Sequence, residues 1–417
     1  MAAIAFGHLR TVALLALAVL LSPTALSAAA SDPDAQQLAR DGRRFAVDLY
    51  GRLAATPGNV LVSPWSIRTA LQMCYAGARA RTEQQMSTAL HDSLGQSRLH
   101  VAASRLDAEL QAATVGSTQP PRVELLTANA VWIAADLRLA PAFADTLKAR
   151  YAALPRAIDF GNSESARSTI NDWVEQRTRS RIRDLIPQGG IDGHTRMTLC
   201  DAIYFRSAWR DSFHYGDTKA GLFHLLGGGV ADVPFMHDLQ DLPYTENDDL
   251  QVLELPYAAE DIVLLVVLPR ANEGVTALDR KLDPDSLSAW VGRLGEVLVR
   301  VTLPRFRIED RFRLASTLAA MGMTDAFDTA RADFSGITAE RTLAISEVFH
   351  RTYLALDEHG TEAAAATAVD FYRGGRGDRV IQPTVPVTFT ADHPFLFLIY
   401  HRTSGAVLFM GRLVDPR

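Results

Sequence analysis

Cysteine is almost absent: the 417-residue chain has two, Cys74 and Cys200. One disulfide at most can form, so no disulfide framework defines this protein. Both lie among apolar neighbours, in LQMCYAG and TLCDAIYF, and read as buried thiols. Positive charge is also in deficit. Lys and Arg number 42 against 48 Asp and Glu, a net of −6, which argues against a nucleic-acid surface. The one local cluster, Arg177 to Arg183, alternates with apolar residues as a solvated helix face does. Catalytic signatures are missing too. There is no Cys-x-x-Cys, no His-Glu-x-x-His, no phosphate-binding Gly-x-x-x-x-Gly-Lys and no Gly-x-Ser-x-Gly elbow. No metal, cofactor or nucleophile has an obvious seat, and none is expected.

Long apolar runs are lacking as well. TVALLALAVLL, eleven residues, is too short to span a bilayer comfortably, so no membrane anchor is expected. It follows a short segment with one arginine and precedes SPTALSAAASDP, which offers small-residue cleavage sites such as that after Ala30. This is the pattern of a secretory signal peptide. The expectation is a removable segment at 1–30, export to the periplasm or outside, and one domain over 31–417.

The first half of the remaining chain is mainly helical. Phe45, Leu49 and Leu53 recur at helical spacing, and SPWSIRTALQMCYAGA places Ile67, Leu71 and Cys74 on one face after a Ser-Pro start. SESARSTINDWVEQRTRSRI predicts a surface helix capped at Ser163, with Ile170, Trp173 and Val174 on its buried stripe. Strands then dominate: 123–133, 198–205, and DIVLLVVLP at 261–269, which is apolar on both faces and therefore central. LPRFRIED alternates Phe306 and Ile308 with Arg305 and Arg307, as a strand wet on one side does. A further helix carries Leu287, Trp290, Val291 and Leu294, and PFLFLIYH and AVLFMGRLV close the chain as strands. Without a βαβ rhythm or a Gly/Ser linker, the class is α+β in one large domain.

One stretch fits neither pattern. EHGTEAAAATAV, residues 358–369, follows a predicted strand yet carries four consecutive alanines with no apolar stripe for a helix to bury. From Gly360 to about Pro386 little can build a core, and YRGGRGDR is glycine-rich and charged. A loop of more than twenty residues in a compact domain is usually functional.

In order and at matching spacing, a series of segments resembles the serpins over nearly all of residues 35–417. NVLVSPWSIRTALQMCYAG, INDWVEQRTRSRI, DAIYFRSAW, LELPY, LPRFRIE, DFSGIT, HPFLFLI and FMGRLVDP carry the resemblance. The most specific piece is the hinge of inhibitory members, matched here by Glu358, Gly360, Thr361, Glu362, Ala363, Ala364, Ala365, Ala366 and Thr367. The resemblance implies helices around a large, mainly antiparallel sheet, further smaller sheets, and a long exposed reactive loop at about 360–386. It implies a monomeric suicide inhibitor with no turnover of its own. A protease cleaves the loop, which then inserts into the central sheet while the protease remains esterified. The residues suit that fate. Alternate side chains of a strand face one way, so Thr361, Ala363, Ala365, Thr367 and Val369 would face inward, all small and uncharged, with Glu362 and Asp370 outward.

Family spacing puts the scissile bond near Arg373, Gly374, Gly375 and Arg376, nominally after Gly374. Arg373, and next Arg376, would suit the acidic pocket of a trypsin-like serine endopeptidase; a cysteine protease, or an elastase- or subtilisin-type enzyme attacking near Gly374, remains open. The resemblance also assigns Ser63, Ser66 and His350, with Asp201 in place of the usual Asn, to a polar cluster where the sheet parts. Asp201 would either form an ion pair with His350 or substitute for Asn in the hydrogen-bond net. Trp209 matches the tryptophan where the loop first inserts. The alternatives are a non-inhibitory carrier or chaperone and, far behind, a hydrolase using Ser63 or Ser66 with His350 and Asp201.

Overall fold

A computed structural model describes residues 32–115, 123–259, 261–361 and 385–417. The expected signal peptide at 1–30 lies outside these residues, as do Glu362 to Thr367 of the hinge and Arg373 to Arg376 of the bait region.

The N-terminal half runs α1 (Pro33–Leu53), β1 (Val60–Val62), α2 (Pro64–Tyr75), α3 (Ala80–Ala89), α4 (Gln96–Val115), β2 (Glu124–Thr127), β3 (Ala130–Ala134), α5 (Pro141–Tyr151), β4 (Arg156–Ile158), α6 (Ser163–Arg177) and β5 (Met197–Ala208). The C-terminal half runs β6 (Lys219–His224), β7 (Val230–Glu246), β8 (Leu250–Pro256), β9 (Ile262–Pro269), α7 (Val275–Lys281), α8 (Pro284–Val291), β10 (Gly295–Pro304), β11 (Phe306–Arg313), α9 (Ala315–Ala320), β12 (Glu347–Asp357), β13 (Gly360–Thr361), β14 (Val387–Thr390), β15 (Phe395–His401) and β16 (Val407–Leu413).

Helix starts follow local chemistry. Asp32 caps α1 by accepting from the backbone of Asp34 and Ala35, and Ser63 caps α2 by accepting from Ser66 N–H, with Pro64 in the first helical position. The expected cap of α6 moves by one residue: Asn162, whose side chain accepts from Ser165 N–H, is the cap and Ser163 begins the helix. That helix ends at Arg177, so the rest of the arginine cluster is not a helix face. Arg179 and Ser180 already have positive φ.

Strands form two sheets. One has nine strands in the order β1-β16-β15-β9-β8-β7-β10-β14 with β6 beside β7, and contains the wholly buried β9. The other has seven, in the order β11-β12-β13-β5-β3-β4, with β2 also on β5. α2 packs against both β5 and β16, which lie in different sheets, so its buried face is continuous with both cores. The expected 123–133 strand is two pieces in one register on β5, interrupted at Ala128 and Asn129. Both cysteines are free and buried.

In the seven-stranded sheet, β12 and β5 pair directly and parallel from Glu347↔Thr198 to Tyr353↔Tyr204. Above that, β13 lies between them, antiparallel to both. Parallel neighbours are the only pair of adjacent strands that one strand can separate while running antiparallel to each.

Candidate functional site

Two residues of the loop's root already occupy this gap. Gly360 pairs with Asp357 and Ala208, and Thr361 with Leu356 and Ser207. Gly360 sits at φ +142°, and a Cβ there would lie 2.0 Å from the Ser207 carbonyl oxygen. Glycine is therefore required by backbone contact as well as by conformation. Thr361 faces the interior as expected: it is fully buried, and its hydroxyl lies 2.7 Å from that of Tyr257.

Aromatic packing roofs the opening. Trp209 stacks on Tyr257 with ring centres 4.6 Å apart, and Phe213 meets Trp209 edge-on. Trp209 Nε1 donates to the Asp357 carbonyl at 2.9 Å, and its backbone N–H donates to His359. The tryptophan thus pins both ends of the tight turn from β12 to β13.

Glu358, in that turn, is buried and accepts from Arg305 Nε at 2.7 Å, from Arg305 Nη2 and from the Thr218 hydroxyl. Burial alone would raise its pKa, but the Arg305 and Thr218 bonds outweigh it and hold the carboxyl below its ordinary value. Arg305, read from sequence as a solvated strand residue, instead lies between β10 and β11 as the partner of Glu358, and stacks over Tyr215.

Six residues below the β13 pairing, Ser63, Ser66, Asp201 and His350 come together, all fully buried. His350 and Asp201 face each other directly in the β12–β5 register. Ser63 N–H donates to His350 Nε2 at 3.1 Å, so the ring proton is on Nδ1, which donates to Asp201. Ser66 Oγ donates to the other Asp201 oxygen and contacts Asn129 Oδ1 at 2.9 Å. Of the two readings of Asp201, this geometry fits the Asn-like acceptor, because a second ring proton would confront the Ser63 donor. The Ser63 hydroxyl donates to the Leu408 carbonyl at 2.6 Å and the Ser66 hydroxyl to Asp201, so neither serine donates to His350 as a hydrolase triad would require.

Tyr257, Thr218, Arg305 and Asn129 were missed by sequence reasoning as members of these clusters. Each partner lies far away along the chain, and LELPY and LPRFRIE, which contain Tyr257 and Arg305, mark a resemblance without marking these contacts.

Comparison with known proteins identifies the family. Residues 41–416 match the family model described as serpin (serine protease inhibitor). The human leukocyte elastase inhibitor is 34% identical over 392 residues, covering 91% of this chain and all of that protein. Iris of the tick Ixodes ricinus is 36% identical, covering 88% and 96% of the two chains. Among solved structures, uncleaved ovalbumin superposes with a TM-score of 0.80 at 28% identity, over 91% of this chain and 100% of the other. The chain belongs to the serpin family.

Proposed function

We propose that this protein is an exported suicide inhibitor of Arg-directed serine endopeptidases, acting by insertion of its cleaved loop between β12 and β5. The observation that carries the reading is β13, two residues of loop already paired as the first rung of such a strand. If a cleaved loop continued this register, Ala363, Ala365 and Thr367 would take the inward face, with Thr367 opposite both His350 and Asp201. It would bring Asp370 level with Glu347 and Thr198, the last rung of the present β12–β5 pairing. Arg373 and Gly374 would then lie beyond the far end of the sheet. At about 3.3 Å per residue, an esterified protease would move roughly 40 Å from the loop root.

Each inserted rung exchanges the parallel β12–β5 bonds for bonds on both sides of a new strand, about ten more in all. At about 0.5–1.5 kcal/mol net each this gives a drive of roughly 5–15 kcal/mol. The uncut form is then held by a kinetic barrier. The Trp209–Tyr257 roof, the Glu358–Arg305 pair and the Ser63–Ser66–Asp201–His350 cluster lie along the path that must open. The target assignment rests on Arg373 and Arg376, and export rests on the N-terminal pattern. Among the described residues, no helix is long and apolar enough to cross a membrane.

The test mixes the protein with trypsin, resolves the products on a denaturing gel and weighs the released C-terminal peptide. A gel-stable adduct and a peptide beginning after Arg373, Gly374 or Arg376 is the expected result. Cleavage by trypsin and by elastase without an adduct, and without a gain in thermal stability, would assign the protein to the non-inhibitory carriers.

A further inference from the structure

Beside β2 and β3 of the seven-stranded sheet, a cavity of about 600 Å³ opens between α2, α4, the 150–156 segment and α6. That volume is within the range of small-molecule sites, about 300–1,000 Å³. Its walls include Leu38, Trp65, Met73 and Leu106. Its charged groups are four arginines, Arg68, Arg150, Arg156 and Arg177, against one carboxylate, Asp107. In a chain of net charge −6 this local surplus is not compositional.

Two of the lining donors are buried with no hydrogen-bond partner among the described residues: Arg68 Nη2 and Trp173 Nε1. Arg68 is 5% exposed; its Nε donates to the Leu90 carbonyl at 3.2 Å and its Nη1 to that of Leu38 at 3.1 Å. One edge of a fixed guanidinium therefore remains unused. Buried donors in folded proteins rarely stay unpaired, and a charged one is the costliest to leave so. Burial lowers the Arg68 pKa to about 10, against the opposing pull of Asp41 and Asp92.

The other arginines present a second cationic feature. The Arg156 guanidinium stacks over Trp173 at 4.6 Å and over Trp132 at 5.4 Å, and Arg177 lies over Trp173 at 5.8 Å. A guanidinium stacked on indole keeps its N–H edge available for a carboxylate. Arg156 has no carboxylate within ion-pair distance among the described residues, and burial and the neighbouring Arg177 both lower its pKa. By contrast Arg98 and Arg105, the cations on the outer face of α4, are already paired with Asp34 and Asp32. An anionic polymer lying along α4 would find those groups occupied; a small molecule inside the cavity would find free ones.

We infer that this cavity binds a small organic anion, a carboxylate on an apolar body, with the arginines taking the charge and Trp65, Leu106 and Trp173 the body. The site is separate from the loop root and adjoins the His350 cluster at Asn129, which lines the cavity and contacts Ser66.

The test titrates the intact, uncleaved protein with 1-naphthoate by calorimetry, using 1-naphthamide as its neutral counterpart and inorganic phosphate as a bare anion. Saturable one-site binding of naphthoate is expected, at least about tenfold tighter than the amide or phosphate. Arg156→Gln and Trp173→Phe should each weaken it about tenfold, the loss of one hydrogen bond to a charged group. Ala103→Trp, which fills the cavity without changing charge, should abolish it. The unfolding midpoint of each variant shows whether it is folded. Absence of saturable binding, equal binding of the amide or of phosphate, or naphthoate binding unchanged in all folded variants would each overturn the inference.

Discussion

Replacing Thr361 by arginine should turn the inhibitor into a substrate. Thr361 is fully buried and hydrogen-bonded at 2.7 Å to Tyr257, whose ring stacks on Trp209 with centres 4.6 Å apart and meets Phe205 edge-on. Among the described residues no carboxylate is hydrogen-bonded to this Tyr257–Thr361 pair, so a guanidinium there would be buried without a paired counter-charge. The effective penalty for such burial is several kcal/mol per ion. The resting molecule can avoid most of it by withdrawing two residues of β13 into solvent, at the loss of a few backbone bonds. Insertion cannot avoid it, because Thr361 leads the entering strand.

If about 3 kcal/mol of the penalty is felt in the transition state for insertion, insertion slows by roughly 10²-fold. Hydrolysis of the acyl bond is unaffected and wins the competition. The assay is titration of trypsin activity with each variant, with denaturing gels to detect the covalent complex. Thr361→Arg should be cleaved at the same bond with no stable complex, while Thr361→Ser should inhibit like the parent. Stoichiometric inhibition retained by Thr361→Arg would refute the inward-facing assignment and the insertion model with it.

Three further outcomes follow from the same geometry. Arg373→Ala should reduce trypsin inhibition by more than tenfold and Arg376→Ala far less, as followed by complex-formation rates; the reverse order would move the bait by three residues. Gly360→Ala should expel β13, since its Cβ would stand 2.0 Å from the Ser207 oxygen, and hydrogen exchange at Thr361 should rise accordingly. Arg305→Ala should lower stability by about 3 kcal/mol, the low end for breaking a buried pair because Arg305 keeps some solvent contact. Glu358 has a lowered folded pKa, so its contribution is present above the unfolded value of about 4.3 and is lost as pH falls through the folded one. The difference in unfolding midpoint between wild type and Arg305→Ala should therefore shrink below about pH 4.

Much of the molecule could be read from local signals, and the failures are instructive. The helix stripes of Phe45, Leu49 and Leu53 and of Ile170 and Val174 are buried as spacing predicts, and β9 is central because both its faces are apolar. The hinge was marked by its resemblance to inhibitory serpins, and of it only Glu358, Gly360 and Thr361 lie among the described residues. Boundaries shifted where two residues compete for one role: Asn162 and Ser163 both suit a cap, and only chain direction decides between them. The Arg177–Arg183 cluster misled because apolar alternation does not reveal where a helix stops. Arg305 misled for a different reason. Its alternation with Phe306 is genuine, but its function depends on Glu358, 53 residues later. Asn129 and Ser66, 63 residues apart, likewise meet only because α2 packs against the sheet.

The central claim is that the loop becomes a strand between β12 and β5, and heating tests it most directly. The loop should be nicked by a protease that is then removed, and the unfolding midpoints of intact and nicked protein compared. A gain of roughly 5–15 kcal/mol corresponds to about 6–19 °C for a chain of this size. A rise of that order, abolished by Thr361→Arg, is the result the account predicts. An unchanged or lowered midpoint after complete cleavage would contradict it.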